Sequence, residues 1–329
     1  MTTDVVRVAA IDCGTNSIRL LIADVPQGAE DARDLKDVER DMIITRLGQG
    51  VDRTGMLDPA AIQRTLDAAR LYQERIEDAG VADVIIAATS ASRDASNRAD
   101  FVEGIRAITG IEPRVITGAE EAALSFVGAI SSLPRDLKTP YLVVDIGGGS
   151  TEFVLGHSEV EQAVSVNMGS VRVTERFGPE PWTPDKQAAA RAWIDTQLDV
   201  AEGSVDFAAA RTVVGVAGTV TSLAALIAQV PEYSPDATHG LIPTVEQWAS
   251  ALDHMVNDSV EEKSRQPAMP PGRADVIAGG ALIWERILVR LGVIPDHAAG
   301  PTTAAPTVVV SEHDILDGLA LSVAVALRD

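Results

Sequence analysis

Residues 145–153 read DIGGGSTEF, directly after the apolar run YLVV at 141–144. The run is uninterrupted and ends in β-branched residues, the pattern of a buried strand. Three successive glycines then permit backbone conformations closed to other residues and let N–H groups approach a guest closely. Ser150 and Thr151 add hydroxyls, and EFVLG (152–156) reads as a second strand. Successive N–H groups in such a turn form an anion nest, and phosphate is the usual guest. A plain hairpin turn is the simpler alternative, but one or two glycines suffice for that. Here Asp145 stands at the entrance of the turn and Glu152 just past its exit.

A second copy lies near the N-terminus, in VAAIDCGTNSIRLLIADV (8–25). Aligned on the acids, Asp12 matches Asp145, Gly14 matches Gly147 and Ser17 matches Ser150, so both copies are D-x-G-x-x-S, 133 residues apart. That spacing is domain-sized and far longer than a solenoid period. Two domains that each offer a phosphate-gripping hairpin suggest a cleft with ligand between them. Arg19 stands where the second copy has Glu152, so one loop is expected to bring a cation to phosphate and the other a carboxylate to a metal. A third glycine element, VVGVAGTVTSLAAL (213–226), reads as strand, Gly215-x-x-Gly218-Thr219, then helix. A glycine turn opening a helix directs N–H groups and a positive dipole end at an anion, although such turns are also common packing devices.

DCGTNSIRLLIADV, ATSASRDASN (88–97), TGAEEAALSFVGA (117–129), DIGGGSTEFV, GVAGTVTSLAA and GRADVIAGG (272–280) occur in this order. Together they resemble the exopolyphosphatase and guanosine pentaphosphate phosphohydrolase (Ppx/GppA) family, in its short two-domain form, within the sugar kinase, Hsp70 and actin superfamily. The resemblance implies an α/β fold of two duplicated actin-like (ribonuclease H-like) domains with a phosphate-binding cleft between them, and a homodimer. Longer members carry C-terminal helical domains for which this chain, ending at Asp329, has no room. His313-Asp314 is a lone pair without companion ligands and reads as a turn or helix start.

TGAEE has capping-box spacing, Thr117 at the N-cap and Glu120 three residues on. Glu121, one residue further, points about 100° away around the helix and has no local job beyond favourable acid placement in a first turn. The resemblance makes Glu121 the catalytic carboxylate, taking the proton from water that attacks a terminal phosphorus. It also places Arg93 near the phosphate; the structural alternative is a salt bridge from Arg93 to Glu120. Gly147, Gly148, Gly149 and Ser150 would cradle the terminal phosphate. Asn16, Ser17 and Arg19 would hold it or the next one from the opposite wall, with Gly218 and Thr219 as the third phosphate element. Asp145 and Glu152 are the expected Mg²⁺ (or Mn²⁺) pair, with Asp12 binding metal-bound water. An Asp at a strand end can instead cap the following turn. No His/Cys cluster has zinc spacing. Arg273 and Asp275 are expected to hold loop and helix together. His239, before Gly240, is a ligand-touching or a surface-turn histidine.

The chain has 329 residues, 46% of them apolar, enough for substantial cores. No stretch approaches 18 uninterrupted apolar residues and no signal pattern opens the chain, so a cytoplasmic protein without membrane association is expected. The single cysteine, Cys13, excludes an intrachain disulfide and reads as a small buried thiol. A formal net charge of −21 argues against nucleic-acid binding. It also sets a global field against long polyanions, unless a local patch drawn from Arg19, Arg93, Arg98, Arg172, Arg176, Lys186, Arg211, Arg265 and Arg273 overcomes it. The expectation is therefore a Mg²⁺-dependent exopolyphosphatase that handles short chains better than long ones. The alternatives are the same chemistry on guanosine pentaphosphate (pppGpp), a non-catalytic polyphosphate or nucleotide sensor, and a sugar or acetate kinase relative.

Domain I is expected over residues 1–130, possessing the clear helix LDPAAIQRTLDAARLYQERIEDAG (57–80). Domain II is expected over 131–310, with a second helix in WTPDKQAAARAWIDTQLDVAEG (182–203). SSLPRDLKTP (131–140) reads as the connection between them. PTTAAPTVVV (301–310) reads as a linker and last strand. Residues 311–329, with a helix over 311–327, are a candidate completion of domain I.

Overall fold

The computed structural model describes residues 5–26, 34–295 and 305–326; the expected linker at 301–304 lies outside them. In chain order the elements begin β1 (Val5–Cys13), β2 (Ser17–Pro26), β3 (Lys36–Ile44), α1 (Val51–Thr54), α2 (Pro59–Ala79) and β4 (Asp83–Ala88). They continue α3 (Ser90–Asp94), α4 (Arg98–Thr109), β5 (Arg114–Val115), α5 (Gly118–Ser131), β6 (Tyr141–Ile146), β7 (Thr151–Gly156), β8 (Val160–Val166) and α6 (Ser170–Phe177). The rest are α7 (Pro184–Glu202), β9 (Thr212–Val216), α8 (Ala217–Ala228), α9 (Pro235–Thr238), α10 (Val245–Asn257), α11 (Val260–Ser264), α12 (Ile277–Arg290), β10 (Thr307–Val310) and α13 (Ile315–Ala326).

The chain divides into two compact units, Met1–Ser132 with His313–Asp329, and Leu133–Glu312. Each holds one five-stranded mixed sheet, ordered β3-β2-β1-β4-β5 in the first and β10-β9-β6-β7-β8 in the second. Read from its own first strand, each sheet has the same topology. Three antiparallel strands open it, the fourth adds parallel beside the first and the fifth parallel beside the fourth. The duplicated D-x-G-x-x-S therefore belongs to a duplicated sheet.

In the first unit β1 is buried on both faces, which explains its unbroken apolar run. Ala9, Ile11 and Cys13 pack with Tyr72 of α2 and Phe101 of α4. Val8 and Ala10 pack with Ile315, Leu316 and Leu319 of α13. The thiol of Cys13 is buried, and burial pushes its pKa well up. α2 is capped as its sequence predicts: Asp58 accepts from the N–H groups of Ala60 and Ala61, Pro59 opens the helix, and Gly80 closes it with a left-handed backbone. In the second unit one core joins the sheet to α7, α8, α10 and α12, with Trp248 and Trp284 edge to face at 5.6 Å.

Two local expectations are corrected. PRVIT (113–117), whose β-branched run reads as a short strand before the helix start at Gly118, is a strand only over Arg114–Val115, because Thr117 leaves the sheet to cap α5. The final helix begins at Ile315 rather than 311. Residues 311 and 312 still bond along the second unit: the N–H of Ser311 donates to Gly215 and that of Glu312 to His239 Nδ1. His239 is thus an acceptor for backbone. No helix among the described residues is long and apolar enough to cross a membrane.

Candidate active site

Both hairpins close in the same way. Gly14 N–H donates to Ser17 O at 2.9 Å, and Gly147 N–H to Ser150 O at 3.0 Å. A Cβ on either glycine would stand 3.2 Å from that oxygen. The closure sets the register, so Asp12 lies opposite Arg19 and Asp145 opposite Glu152.

In the second unit Asp145 and Glu152 are buried, 7% and 1% exposed, as cross-strand neighbours. Ser165 on β8 donates to Glu152 Oε1 at 2.6 Å. The glycine loop is braced from one side by α6. Ser170 N–H donates to the carbonyl of Gly147, Val171 and Arg172 N–H to that of Gly148, and Arg172 Nε to that of Gly149 at 2.8 Å. In a trans peptide the C=O and N–H point in opposite directions. The N–H groups of Gly148, Gly149 and Ser150 are therefore turned away from α6. Gly169 lies against the backbone of Gly148 and Gly149, with no room for a side chain. At the third element α8 starts at Ala217, whose φ of +62° is rare for a non-glycine residue. Arg273 Nη1 donates to Gly218 O at 3.1 Å and Ser222 Oγ at 3.2 Å, and its guanidinium fills the space beside Gly218. Arg273 thus binds the loop before α12 to α8. Thr219 is buried against Gly280.

In the first unit Arg19 donates through Nε (3.0 Å) and Nη2 (2.8 Å) to Asp12 Oδ2. Its Nη1 is bonded to Asp314 Oδ2, 295 residues away in the chain. Burial raises the pKa of Asp12, with Arg19 opposing. Arg19 itself is held well above its ordinary value: burial works against its charge, but Asp314 and Asp12 outweigh it. The second oxygen of Asp12, Oδ1, is buried and has no hydrogen-bond partner among the described residues, and the same holds for Oδ1 of half-buried Asn16. The loop is latched by the segment after β3. Thr45 and Arg46 N–H donate to Asn16 O, and Gly48 N–H to Thr15 O. Thr15 Oγ1 also meets Ser90 Oγ at 2.8 Å, tying the loop to α3. Arg46 has φ +55°.

α5 carries the predicted capping box. Thr117 Oγ1 accepts from Glu120 N–H, and Glu120 Oε2 accepts from Thr117 N–H at 2.8 Å. The bonds that the Thr117 N–H and hydroxyl donate to the Glu120 carboxylate lower its pKa. Glu121 faces inward, 9% exposed. Arg93 Nη1 donates to Glu121 Oε2 at 3.0 Å and to Ile116 O at 3.1 Å. The ion-pair partner of Arg93 is thus Glu121 and not Glu120; Glu120 is turned out, within 3.5 Å of Arg114.

The structure brings together Asp12 with Arg19, Arg93 with Glu121, Asp145 with Glu152, and Gly147, Gly148 and Gly149 with α6. Of the candidate basic patch, Arg265 pairs with Glu261, Arg176 lies over Phe177 and Trp193, and Arg98 is exposed. Asp314, Ser165, the latch at residues 45–48 and Gly169 are additions that the sequence does not signal. Their partners are distant in the chain or their residue types are unremarkable.

The repeated sheet with its strand–glycine–strand hairpins defines a duplicated actin-like α/β protein. The profile of the Ppx/GppA phosphatase family matches residues 21–294, and the chain belongs to that family. It is 45% identical over 327 residues to Exopolyphosphatase 2 of Mycobacterium tuberculosis, covering 97% of this chain and 98% of that one. It is 30% identical over 280 residues to the guanosine-5'-triphosphate,3'-diphosphate pyrophosphatase of Vibrio campbellii, covering 82% of this chain and 54% of that one. Among solved structures, an exopolyphosphatase-like protein superposes with TM-score 0.89 at 40% identity, covering 98% of this chain and all of that one. The Aquifex aeolicus PPX-GPPA enzyme superposes with TM-score 0.74 at 30% identity, covering 97% of this chain and all of that one.

Proposed function

We propose that this protein is an exopolyphosphatase, a hydrolase that removes the terminal phosphate of inorganic polyphosphate by direct attack of water. The observation that carries the reading is the 45% identity to an exopolyphosphatase over nearly the whole of both chains. The side chains suited to the chemistry stand in ordered positions. Glu121 takes the proton of the attacking water as its oxygen bonds to the terminal phosphorus and the bridging P–O bond breaks. Arg93 fixes the Glu121 carboxylate through Oε2. The N–H groups of Gly148, Gly149 and Ser150 bind phosphate oxygens, with Asn16, Ser17, Gly218 and Thr219 as further phosphate contacts.

The acids fit a hard divalent cation. Asp145 and Glu152 would supply oxygen donors from adjacent strands, and Asp12, in the first unit, has a buried Oδ1 with no hydrogen-bond partner among the described residues, which suits the same kind of ion. Mg²⁺, or Mn²⁺, held there would neutralise charge on the phosphate oxygens. Arg19, shared by two carboxylates, acts on Asp12 more than on phosphate. The net charge of −21 favours short chains over long polymers, since the repulsion grows with the length of polyanion brought close. A homodimer in the cytoplasm completes the reading.

A second reading is the same reaction at the 5' end of pppGpp, favoured by the 30% identity to the Vibrio campbellii enzyme. Phosphate release from short polyphosphate, long polyphosphate, pppGpp and ATP, each with Mg²⁺ and at matched end concentration, tests both. Fastest release from short polyphosphate is expected. Faster release from pppGpp moves the assignment to the second reading. No release from any of the four refutes hydrolysis.

A further inference from the structure

The contact between the first hairpin and the last helix has no part in the chemistry so far. Asp314 lies at the entrance of α13 and is buried, 3% exposed. One of its oxygens, Oδ2, holds Arg19 Nη1; the other accepts from Leu316 N–H at 3.0 Å. Its place is fixed from behind. Gly128 of α5 abuts the carbonyl of Asp314, and Gly318 of α13 abuts that of Leu124, both too close for a side chain. α13 is therefore seated on α5, the helix whose first turn carries Glu121. A second ion pair anchors the same helix, from Arg40 Nη2 to Asp317 Oδ1 at 2.6 Å.

Asp12, Arg19 and Asp314 form a buried cluster of two carboxylates and one guanidinium, with side-chain exposures of 6%, 21% and 4%. With Asp12 alone, Arg19 would cancel its charge and leave a neutral pair. With Asp314 added, the formal charge of the cluster is one net negative, and Asp12 Oδ1 is buried without a partner among the described residues.

We propose that Asp314 is a positioning residue for Asp12: by sharing Arg19 it fixes the Asp12 carboxylate and keeps the cluster anionic, so that Asp12 Oδ1 serves a divalent cation. This rests on the hydrolase reading for its purpose, but its test does not depend on turnover. Asp314→Asn keeps shape and removes the charge. Arg19 then belongs to Asp12 alone and the cluster becomes neutral.

Mn²⁺ binding to the metal-free, full-length protein, followed by electron paramagnetic resonance, is the primary measurement. Asp12→Asn gives the scale of what Asp12 contributes. Asp314→Asn is expected to weaken Mn²⁺ binding about tenfold or more, the order of effect of one charge roughly 10 Å from the ion at an effective dielectric of about 20. The Mg²⁺ concentration giving half-maximal phosphate release should rise in parallel, with kcat at saturating Mg²⁺ changed far less. Arg40→Met loosens α13 through Asp317 without touching Arg19 and should leave Mn²⁺ affinity at the wild-type value. A lower melting temperature for Asp314→Asn with wild-type Mn²⁺ affinity would overturn the inference, as would an equal loss in Arg40→Met or no loss in Asp12→Asn. If Asp314→Asn does not fold, Asp314→Glu, which keeps the charge, must bind Mn²⁺ within about threefold of wild type; a tenfold loss there overturns it too. If wild type binds Mn²⁺ and shows this pattern but hydrolyses no phosphate chain, the functional reading fails and the positioning role stands.

Discussion

Two neighbouring glutamates at the start of α5 should separate stability from chemistry. Glu120 accepts from Thr117 N–H at 2.8 Å and Thr117 Oγ1 at 2.9 Å and is largely solvated. Glu120→Ala removes the reciprocal half of the capping box, at a cost of roughly 0.5–1.5 kcal/mol. For a unit of this size that lowers the melting temperature by about 2–5 °C. The phosphatase rate should stay within about twofold, a barrier change under roughly 0.5 kcal/mol. Glu121 is buried and held by Arg93 at 3.0 Å. Glu121→Gln keeps its volume and an acceptor oxygen for Arg93, whose guanidinium also rests on Ile116 O. The stability change should be about 1 kcal/mol or less, because Arg93 retains contact with solvent. The lost base should lower kcat about 10²–10⁴-fold, which is roughly 3–5 kcal/mol in the barrier. The assay is steady-state phosphate release from short polyphosphate at saturating Mg²⁺, paired with thermal melts of both variants. A rate within tenfold of wild type in Glu121→Gln, or a hundredfold loss in Glu120→Ala, would refute the assignment of roles.

Three further outcomes are expected. Lys263 is fully buried, bonded to Glu180 and at 3.3 Å to Met255 O. Lys263→Met should cost about 3 kcal/mol by stranding the Glu180 carboxylate, and adding Glu180→Leu should recover much of it in chemical denaturation; additive losses would argue against a coupled pair. His313 Nδ1 lies 2.7 Å from buried Asp317. Burial lowers the His313 pKa, but Asp317 outweighs it and the net direction is up; burial raises that of Asp317, but Arg40 and His313 outweigh it and the net direction is down. The histidine contributes stability below its unfolded pKa of about 6.5 and loses it as pH rises through the higher folded value. The aspartate contributes above about pH 4 and loses it as pH falls toward its lower folded value. The melting-temperature gap between wild type and His313→Gln should therefore be widest between about pH 4 and 6.5, and a gap independent of pH would contradict the pairing. Arg46→Gly removes a side chain from a backbone with φ +55° and should raise thermal stability by about 1 kcal/mol; a fall would mean that the arginine side chain holds the latch.

What could be read from the sequence follows from how local each interaction is. The hairpins were legible because closure between Gly14 and Ser17, and between Gly147 and Ser150, fixes the register. Asp12 must then face Arg19 and Asp145 must face Glu152, as observed. The split between Glu120 and Glu121 was legible because helix geometry turns adjacent residues 100° apart and the capping box claims the first. The same geometry separates Glu120 from Arg93, since a glutamate bent back onto its own N-cap faces away from the core. Asp314 was not legible. A carboxylate at a helix start looks like a cap, and its meeting with Arg19 depends on a packing of α13 that no local pattern records. Once seen, it alters what the repeat means. The second hairpin pairs two carboxylates, Asp145 and Glu152, on adjacent strands. The first hairpin has arginine in place of the second acid, and the chain returns at its far end to place Asp314 on that arginine. Both hairpins thus end with two buried carboxylates, one pair supplied within the hairpin and the other completed by the last helix. The difference at Arg19 ties the first hairpin to the docking of α13, whereas both carboxylates of the second come from its own strands.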